Sequence, residues 1–571
     1  MAETLKKLGV EYVFTLCGGH ISPILVNCKK LGLNIIDTRH EVTTVFAADG
    51  MSRMSGKPGI AVVTAGPGLT NVITAIKNAQ MAQSPLVLIG GATATILKGR
   101  GSLQDIDQMR LIKPLCKWSK TLKKVCDIPQ MINKAFIKAQ SDVPGPVFLE
   151  IPLDLLYPEK IVRKWYIYSN STNKKSIKKK IEDYYLNFHL NRIFSGTPTT
   201  GSVSIIEPSK KIVSENKINK ILTILKNSHH PLILLGSQVT LNVKNINTLV
   251  KSIEKIGIPL YTSGMSRGLL GKEHELLLRH RRRQALKEAD IVILAGVPMD
   301  FRLDFGRKIS RKTKIISVNR SNTDLKMNRR PEIGLQAEPD LFLISLASKV
   351  DNSFPKFSEW KKLLHKRENE REGEINQLEK EIGEFINPLH FCKVLNTFIG
   401  NNSILIADGG DFIGTASYIV QPRGPLAWLD PGVFGTLGVG AGFALAAKLF
   451  KKNAEVWILY GDGSVGYSLM EFDTFIRHKI PVIAVIGNDA GWSQVAREQI
   501  NIYDDDVATK LGYISYQKVI EGFGAEGMLI TNASQIESTL IQAKELAKKG
   551  KPVMINVQLS RSSFREGSIS M

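Results

Sequence analysis

The chain has 571 residues, 43% of them hydrophobic, enough for three ordinary globular domains. Its 76 Lys and Arg against 53 Asp and Glu leave a net charge of +23, which favours anionic partners: nucleic acid, a membrane surface or phosphorylated small molecules. The five cysteines, Cys17, Cys28, Cys116, Cys126 and Cys392, form no C-x-x-C pair, which argues against a disulfide framework or zinc site and suits a reducing compartment. No nucleic-acid motif accompanies the charge, so nucleic acid is not expected as a partner. No apolar run reaches the ~18 residues of a membrane-spanning helix, and no signal peptide is read at the start.

Residues 1–158 alternate strand and helix patterns. Ala2–Leu8 reads as the tail of a helix leading into a strand, Tyr12–Leu16. Further apolar runs at Asn34–Asp37, Ile60–Thr64, Leu86–Gly90 and Val147–Ile151 predict a parallel sheet with helices on both faces. A less regular, basic insert is expected over 159–220. Within it, Lys174 to Phe194 sets lysines beside Tyr184, Tyr185 and Phe188, the composition of an interfacial helix, so membrane-surface contact is weighed against an ordinary surface helix. A central α/β unit over 221–350 has strands Leu232–Gly236, Pro259–Thr262, Ile291–Gly296 and Lys314–Asn319. Its basic run Arg279–Arg283 reads as a solvated face or a nucleotide clamp, and no G-x-G-x-x-G motif supports the clamp. A charged helical connector fills 351–386, and a third unit spans 387–571. The fold class is thus α/β, with three doubly wound parallel-sheet domains.

Chemistry concentrates in the first and third units. Glu41 ends the run Arg39-His40-Glu41 and opens a helix, Val42–Arg53, where a carboxylate is electrostatically favoured. Gly66, Pro67 and Gly68 follow a strand and let backbone approach a ligand closely. Gly432–Gly440 precedes an apolar helix, Ala441–Phe450. Gly461-Asp462-Gly463 then ends the apolar run Val456–Tyr460, and after a helical stretch, Ser468–His478, a second apolar run, Pro481–Gly487, ends in Asn488-Asp489-Ala490-Gly491-Trp492. This is a β-α-β unit with oxygen ligands at the ends of two neighbouring strands. Such a crevice suits a hard cation and a diphosphate.

With that spacing the chain resembles, over nearly its whole length, the thiamine diphosphate-dependent enzymes that include acetolactate synthases, benzaldehyde lyase, oxalyl-CoA decarboxylase and the 2-hydroxyacyl-CoA lyases. The resemblance implies pyrimidine-binding, central and diphosphate-binding domains. It implies thiamine diphosphate and Mg²⁺ as cofactors; FAD or an adenine nucleotide in the central domain has no specific motif here. Glu41 is implied to hydrogen-bond the aminopyrimidine ring and so make the thiazolium C2 proton removable. Gly66, Pro67 and Asn71 are implied to lie over the cofactor, and His20 and Gln104 to border the substrate, His20 as a proton carrier or else a packed histidine. Leu437 matches the residue that bends the cofactor, while Gly410, Asp411 and Phe412 match a loop that contacts the diphosphate, as do Gly461, Gly463 and Ser464. Asp462 and the Gly491 carbonyl are implied metal ligands, with either Asn488 or Asp489 between them.

The implied reaction is cleavage of 2-hydroxyacyl-CoA to an aldehyde one carbon shorter and formyl-CoA, as in fatty acid α-oxidation. An acetolactate synthase-like carboligase is the alternative enzyme, and a non-catalytic scaffold the alternative class. The implied assembly is a homodimer or homotetramer with active sites between subunits. The implied setting is the endoplasmic reticulum membrane; animal members carry an N-terminal anchor that this chain does not show, and a soluble form is the other expectation. The tail Arg561–Met571 is expected to close over acyl-CoA, with Arg561 and Arg565 on its phosphates.

Overall fold

The computed structural model describes residues 1–167, 177–196 and 209–566. Its strands fall into three six-stranded, all-parallel sheets. The first contains β1 (Tyr12–Thr15), β2 (Asn34–Asp37), β3 (Gly59–Val63), β4 (Leu86–Ala92), β5 (Trp118–Thr121) and β6 (Pro146–Pro152). The second contains β7 (Pro231–Leu235), β8 (Leu260–Thr262), β9 (Leu277–Leu278), β10 (Ile291–Ala295), β11 (Lys314–Asn319) and β12 (Ile333–Gln336). The third contains β13 (Ser403–Ala407), β14 (Trp428–Leu429), β15 (Glu455–Gly461), β16 (Ile483–Asn488), β17 (Glu526–Ile530) and β18 (Val553–Gln558).

The first and third sheets share one topology, β2-β1-β3-β4-β6-β5 and β14-β13-β15-β16-β18-β17. The second differs, with order β12-β11-β10-β7-β8-β9. In each sheet the winding turns back near the middle: between β1 and β3, between β7 and β10, and between β13 and β15. Connections leave in opposite directions at such a point, so the strand ends open a crevice where ligands of parallel sheets bind.

The chain divides into two compact units. One, Met1–Arg53 with Lys57–Pro208, holds the first sheet. The other, Met54–Gly56 with Ser209–Met571, holds the second and third. The stretch expected to be irregular contains the helices Glu159–Ile167 and Ile177–Ile193 and the start of Glu215–Lys226, and Val162, Leu190 and Ile193 are buried in the core of the first unit. The expected charged connector is the helix Ser358–Leu378. It takes up much of the arginine run: Arg279 pairs with Glu372 and Arg281 with Glu374, while the Arg279 and His280 N–H groups donate to Glu368. Among the described residues no helix is long and apolar enough to cross a membrane.

Candidate active site

In the first unit, the ends of β1 and β3 meet so closely that a Cβ at Gly18 would lie 2.4 Å from Thr64 Cβ. Glu41 is the first residue of the helix Glu41–Ser55 and is only 7% exposed. Asn71 Nδ2 donates to Glu41 Oε2 at 2.9 Å. Gly66 has φ +62°, and a Cβ there would meet Gln104 Cβ and its carbonyl oxygen, each at 2.9 Å. Glycine is therefore required for both the turn and the close approach. Pro67 opens the short helix Pro67–Thr70. His20 Nδ1 lies 3.4 Å from Thr64 Oγ1, and burial pushes its imidazole below the usual histidine range, so it is held neutral and can accept a proton. Thus Glu41, Asn71, the Gly66 loop, His20 and Gln104 belong to one cluster of strand-end loops.

A second layer, absent from the sequence reading, holds this loop. Gln108 Oε1 accepts the Gly66 N–H at 3.0 Å, and Gln108 Nε2 donates to the Gly91 carbonyl and to Glu150 Oε1, both at 3.0 Å. Glu150 is fully buried and also accepts from Lys98 Nζ at 3.0 Å and Thr121 Oγ1 at 2.7 Å. Nothing in the local sequence marks Gln108; it is visible only once β4 and β6 lie side by side.

In the second unit, the register sets Gly461 beside Gly487, so Asp462 and Asn488 follow adjacent strand ends. At the reversal point, Gly410 has φ +115°, and a Cβ on Gly461 would lie 2.8 Å from the Gly409 carbonyl oxygen. The Gly461 N–H donates to Ser464 Oγ, and Ser464 Oγ donates back to the Gly461 carbonyl, each at 3.1 Å. A Cβ on Gly463 would strike the Trp492 ring at 2.5 Å, so the two motifs interlock. Asp462, 3% exposed, accepts the Gly463 N–H on Oδ1 and the Gly491 N–H on Oδ2, both at 2.9 Å. Burial, with the charge of Asp489, pushes the Asp462 carboxyl up to about 7. Burial likewise pushes Asp489 up to about 6, with Arg561 opposing. Two desolvated carboxylates, one raised by the charge of the other, suit a cation, which would stabilise both in the ionised form.

Asn488 is differently engaged. Its Nδ2 donates to Asn556 Oδ1 at 3.2 Å and to the Ile514 carbonyl at 3.4 Å, and its Oδ1 accepts the Ala490 N–H at 3.2 Å. Asp411 begins the helix Asp411–Ile419 and pairs with Arg497 at 2.7 Å, while its buried Oδ1 has no hydrogen-bond partner among the described residues. The Phe412 ring packs in the core of the third sheet: it is 4% exposed and lies against Gly487. Truncating it should therefore cost stability. Phe412→Ala should lose about 3–5 kcal/mol of unfolding free energy, and a denaturation midpoint equal to wild type would place the ring outside the core. Arg565 lies over Gly414, where a Cβ would be 2.8 Å from its Nε, and Asp411 is its favourable charge. Arg561 Nη2 comes within 3.4 Å of a Cβ position on Gly491. Gly567 and the residues after it lie outside the described residues.

Leu437 touches the Gly409 backbone, at 2.1 Å from a Cβ position there. Its loop is gripped by Asp408, a residue the sequence reading missed although it follows directly on the apolar strand β13. Asp408 accepts the Gly438 N–H at 2.9 Å and the Gly440 N–H at 2.7 Å. Burial pushes its carboxyl from 3.8 up to about 7, with the two N–H groups opposing. The folded chain therefore holds a proton that the unfolded chain releases, and this contribution to stability is lost as pH rises from 3.8 to about 7. Asp408→Asn cannot titrate. The stability difference between wild type and this variant should shrink as pH rises through that window; urea unfolding at several pH values that gave a constant difference would assign the burial a smaller effect than stated.

At the strand ends of the second sheet, Tyr261, Ser263, Val297, Leu303, Arg282 and Arg302 line a cavity of ≈ 10 Å³, roughly the space of one water.

Three family models match the chain: the thiamine pyrophosphate enzyme N-terminal TPP binding domain over residues 1–111, the central domain over 218–346 and the C-terminal TPP binding domain over 408–557. The chain is 48% identical over 578 residues to 2-hydroxyacyl-CoA lyase 2 of Danio rerio, covering 100% of this chain and 93% of that protein. It is 45% identical over 583 residues to 2-hydroxyacyl-CoA lyase 2 of Homo sapiens, covering 100% and 91%. To acetolactate synthase large subunit IlvG of Mycobacterium tuberculosis it is 31% identical over 562 residues, covering 98% and 94%.

Proposed function

Because this chain belongs to the thiamine pyrophosphate enzyme family, we propose that it is a thiamine diphosphate- and Mg²⁺-dependent lyase that cleaves 2-hydroxyacyl-CoA. What carries the substrate class is the difference in similarity: proteins called 2-hydroxyacyl-CoA lyase 2 stand well above those called acetolactate synthase. The presence of Glu41 and Asp462, each buried at a strand-end crevice, speaks against a non-catalytic scaffold.

The residues present fit the cofactor. Gly410 and Gly461 bring the two strand-end backbones together with no side chain between them, and Asp411 Oδ1 is a buried acceptor without a partner among the described residues. In this reading Gly410, Asp411, Gly461, Gly463 and Ser464 hold the diphosphate end; Phe412 contributes its backbone only. Asp462, Asp489 and the Gly491 carbonyl hold Mg²⁺. Asp489 is preferred to Asn488 because the Asn488 amide is occupied at both ends. Leu437 supports the bent cofactor, and Glu41, Gly66, Pro67 and Asn71 hold its pyrimidine end.

Thiamine diphosphate, when bound, would supply a nucleophilic carbon and an electron sink for cleavage of the C1–C2 bond. Glu41 holds and moves the proton at the pyrimidine. His20, kept neutral by burial, takes the proton of the 2-hydroxyl as C2 becomes an aldehyde carbon. That proton ends on the formyl carbon, so R–CH(OH)–CO–SCoA gives R–CHO and HCO–SCoA, the one-carbon shortening of fatty acid α-oxidation. Gln104, on the loop against Gly66, borders the substrate. We read the complete centre as shared by two copies, Glu41 of one facing Asp462 of the other.

The test is direct. Purified protein with thiamine diphosphate and Mg²⁺ is given a long-chain 2-hydroxyacyl-CoA or, separately, pyruvate, and products are identified by mass spectrometry. Formyl-CoA with a shortened aldehyde is the expected result. Acetolactate from pyruvate, with no cleavage of the acyl-CoA, would reverse the assignment.

A further inference from the structure

The helix Ile177–Ile193 is apolar on two opposite sides. Its inner side is fixed. Leu190 and Ile193 are buried in the core of the first unit. His189 Nε2 lies 2.7 Å from Thr95 Oγ1, and the buried Asp154 accepts from the Thr95 N–H and the Tyr166 hydroxyl, both at 3.0 Å. Arg163 Nη2 donates to Asn191 Oδ1 at 2.7 Å, joining this helix to Glu159–Ile167. The helix therefore cannot roll to bury its other side.

That outer side carries Ile177, Ile181, Tyr184, Tyr185 and Phe188, each 56–80% exposed. At 3.6 residues per turn these five fall within an arc of about 100°. Arg192 lies inside the same arc, and Lys178 and Lys180 border it. The acidic residues of the helix, Glu182 and Asp183, fall outside it. So an apolar, aromatic strip is edged by cations and avoided by carboxylates.

We propose that this face is a docking surface for an anionic lipid bilayer, on which the helix lies in the interface without crossing it. Tyrosine and phenylalanine suit the headgroup boundary, where one side of a ring is apolar and the other wet. Basic residues at the rim meet lipid phosphates and carboxylates. The helix has 17 residues, short of the ~20 that span a bilayer. A second copy of this chain is the poorer occupant: a symmetric contact would set Lys178, Lys180 and Arg192 against their own kind, in a protein of net charge +23.

The full chain is sedimented with phosphatidylcholine vesicles and with vesicles that also contain phosphatidylserine, at low and high salt. Wild type should pellet with the anionic vesicles and be released as salt rises. Removing the three charges (K178Q/K180Q/R192Q) should weaken binding by roughly fivefold per charge, on the order of a hundredfold together. Removing the strip (I181S/Y185S/F188S) should abolish binding while melting temperature and mass in solution stay those of wild type. If the apolar variant misfolds, the charge variant alone carries the test. Wild type that fails to bind, or an apolar variant that folds and binds as wild type does, overturns the proposal. A mass in solution that drops in the apolar variant, with no vesicle binding by wild type, assigns the face to a second copy instead.

Discussion

Glu41→Gln should lower turnover of 2-hydroxyacyl-CoA by a hundredfold or more, the loss expected for a missing acid–base group, while thiamine diphosphate still binds. The side chain is buried at the start of its helix, with one carboxylate oxygen bound to Asn71 Nδ2. Glutamine has nearly the same volume, and its oxygen can still accept that bond. What it cannot do is exchange a proton with a ring nitrogen. The effect should therefore fall on kcat and not on cofactor affinity, and the two are separated by a fluorescence titration beside steady-state kinetics. Turnover close to wild type would remove Glu41 from the chemistry. Lost cofactor affinity with kcat unchanged at saturation would make it a binding residue only.

Asp462→Ala should abolish Mg²⁺-dependent binding of thiamine diphosphate. A diphosphate facing Asp462 and Asp489 without a cation meets like charge in a buried place, and both carboxylates are already pushed well above the usual range. Removing a direct ligand should cost more than the roughly 10–100-fold loss typical of a group behind a ligand. The variant also strands the Gly491 N–H, which donates to Asp462 Oδ2, at about 1–3 kcal/mol of stability. Calorimetric titration is thus done well below the melting temperature. Affinity equal to wild type would reduce Gly461-Asp462-Gly463 to a structural turn. Asp489→Asn against Asn488→Asp then tests the ligand choice: the first should weaken Mg²⁺ binding, whereas the second should mainly disturb the contact with Asn556.

The interior strands were legible because a parallel strand covered on both faces must be a continuous apolar run. Gly59–Val63, Pro231–Leu235 and Ile291–Ala295 are buried at every residue and were found to within about one residue of their ends. Of the strands not read, β5, β9, β12, β14 and β17 lie at sheet edges, whereas β13 is interior and was missed despite its apolar run. An edge strand such as Trp118-Ser119-Lys120-Thr121 is only partly covered, so its sequence carries no apolar run to read. The chemical landmarks Glu41 and Asp462 were also local: Asp462 follows directly on β15, and Glu41 opens the helix that comes shortly after β2. Direction was not local. Asn488 is turned inward by Asn556, 68 residues away, and Phe412 is held in the core beneath Gly487. Asp408 grips a loop 30 residues further on, and Gln108 ties the Gly66 turn to Glu150. The sequence by itself determined most of the interior strands and where the oxygen-bearing side chains stand along the chain. Only the tertiary structure decided which of those side chains face the crevice, because that depends on which distant strand lies alongside and what hydrogen-bond partner it offers.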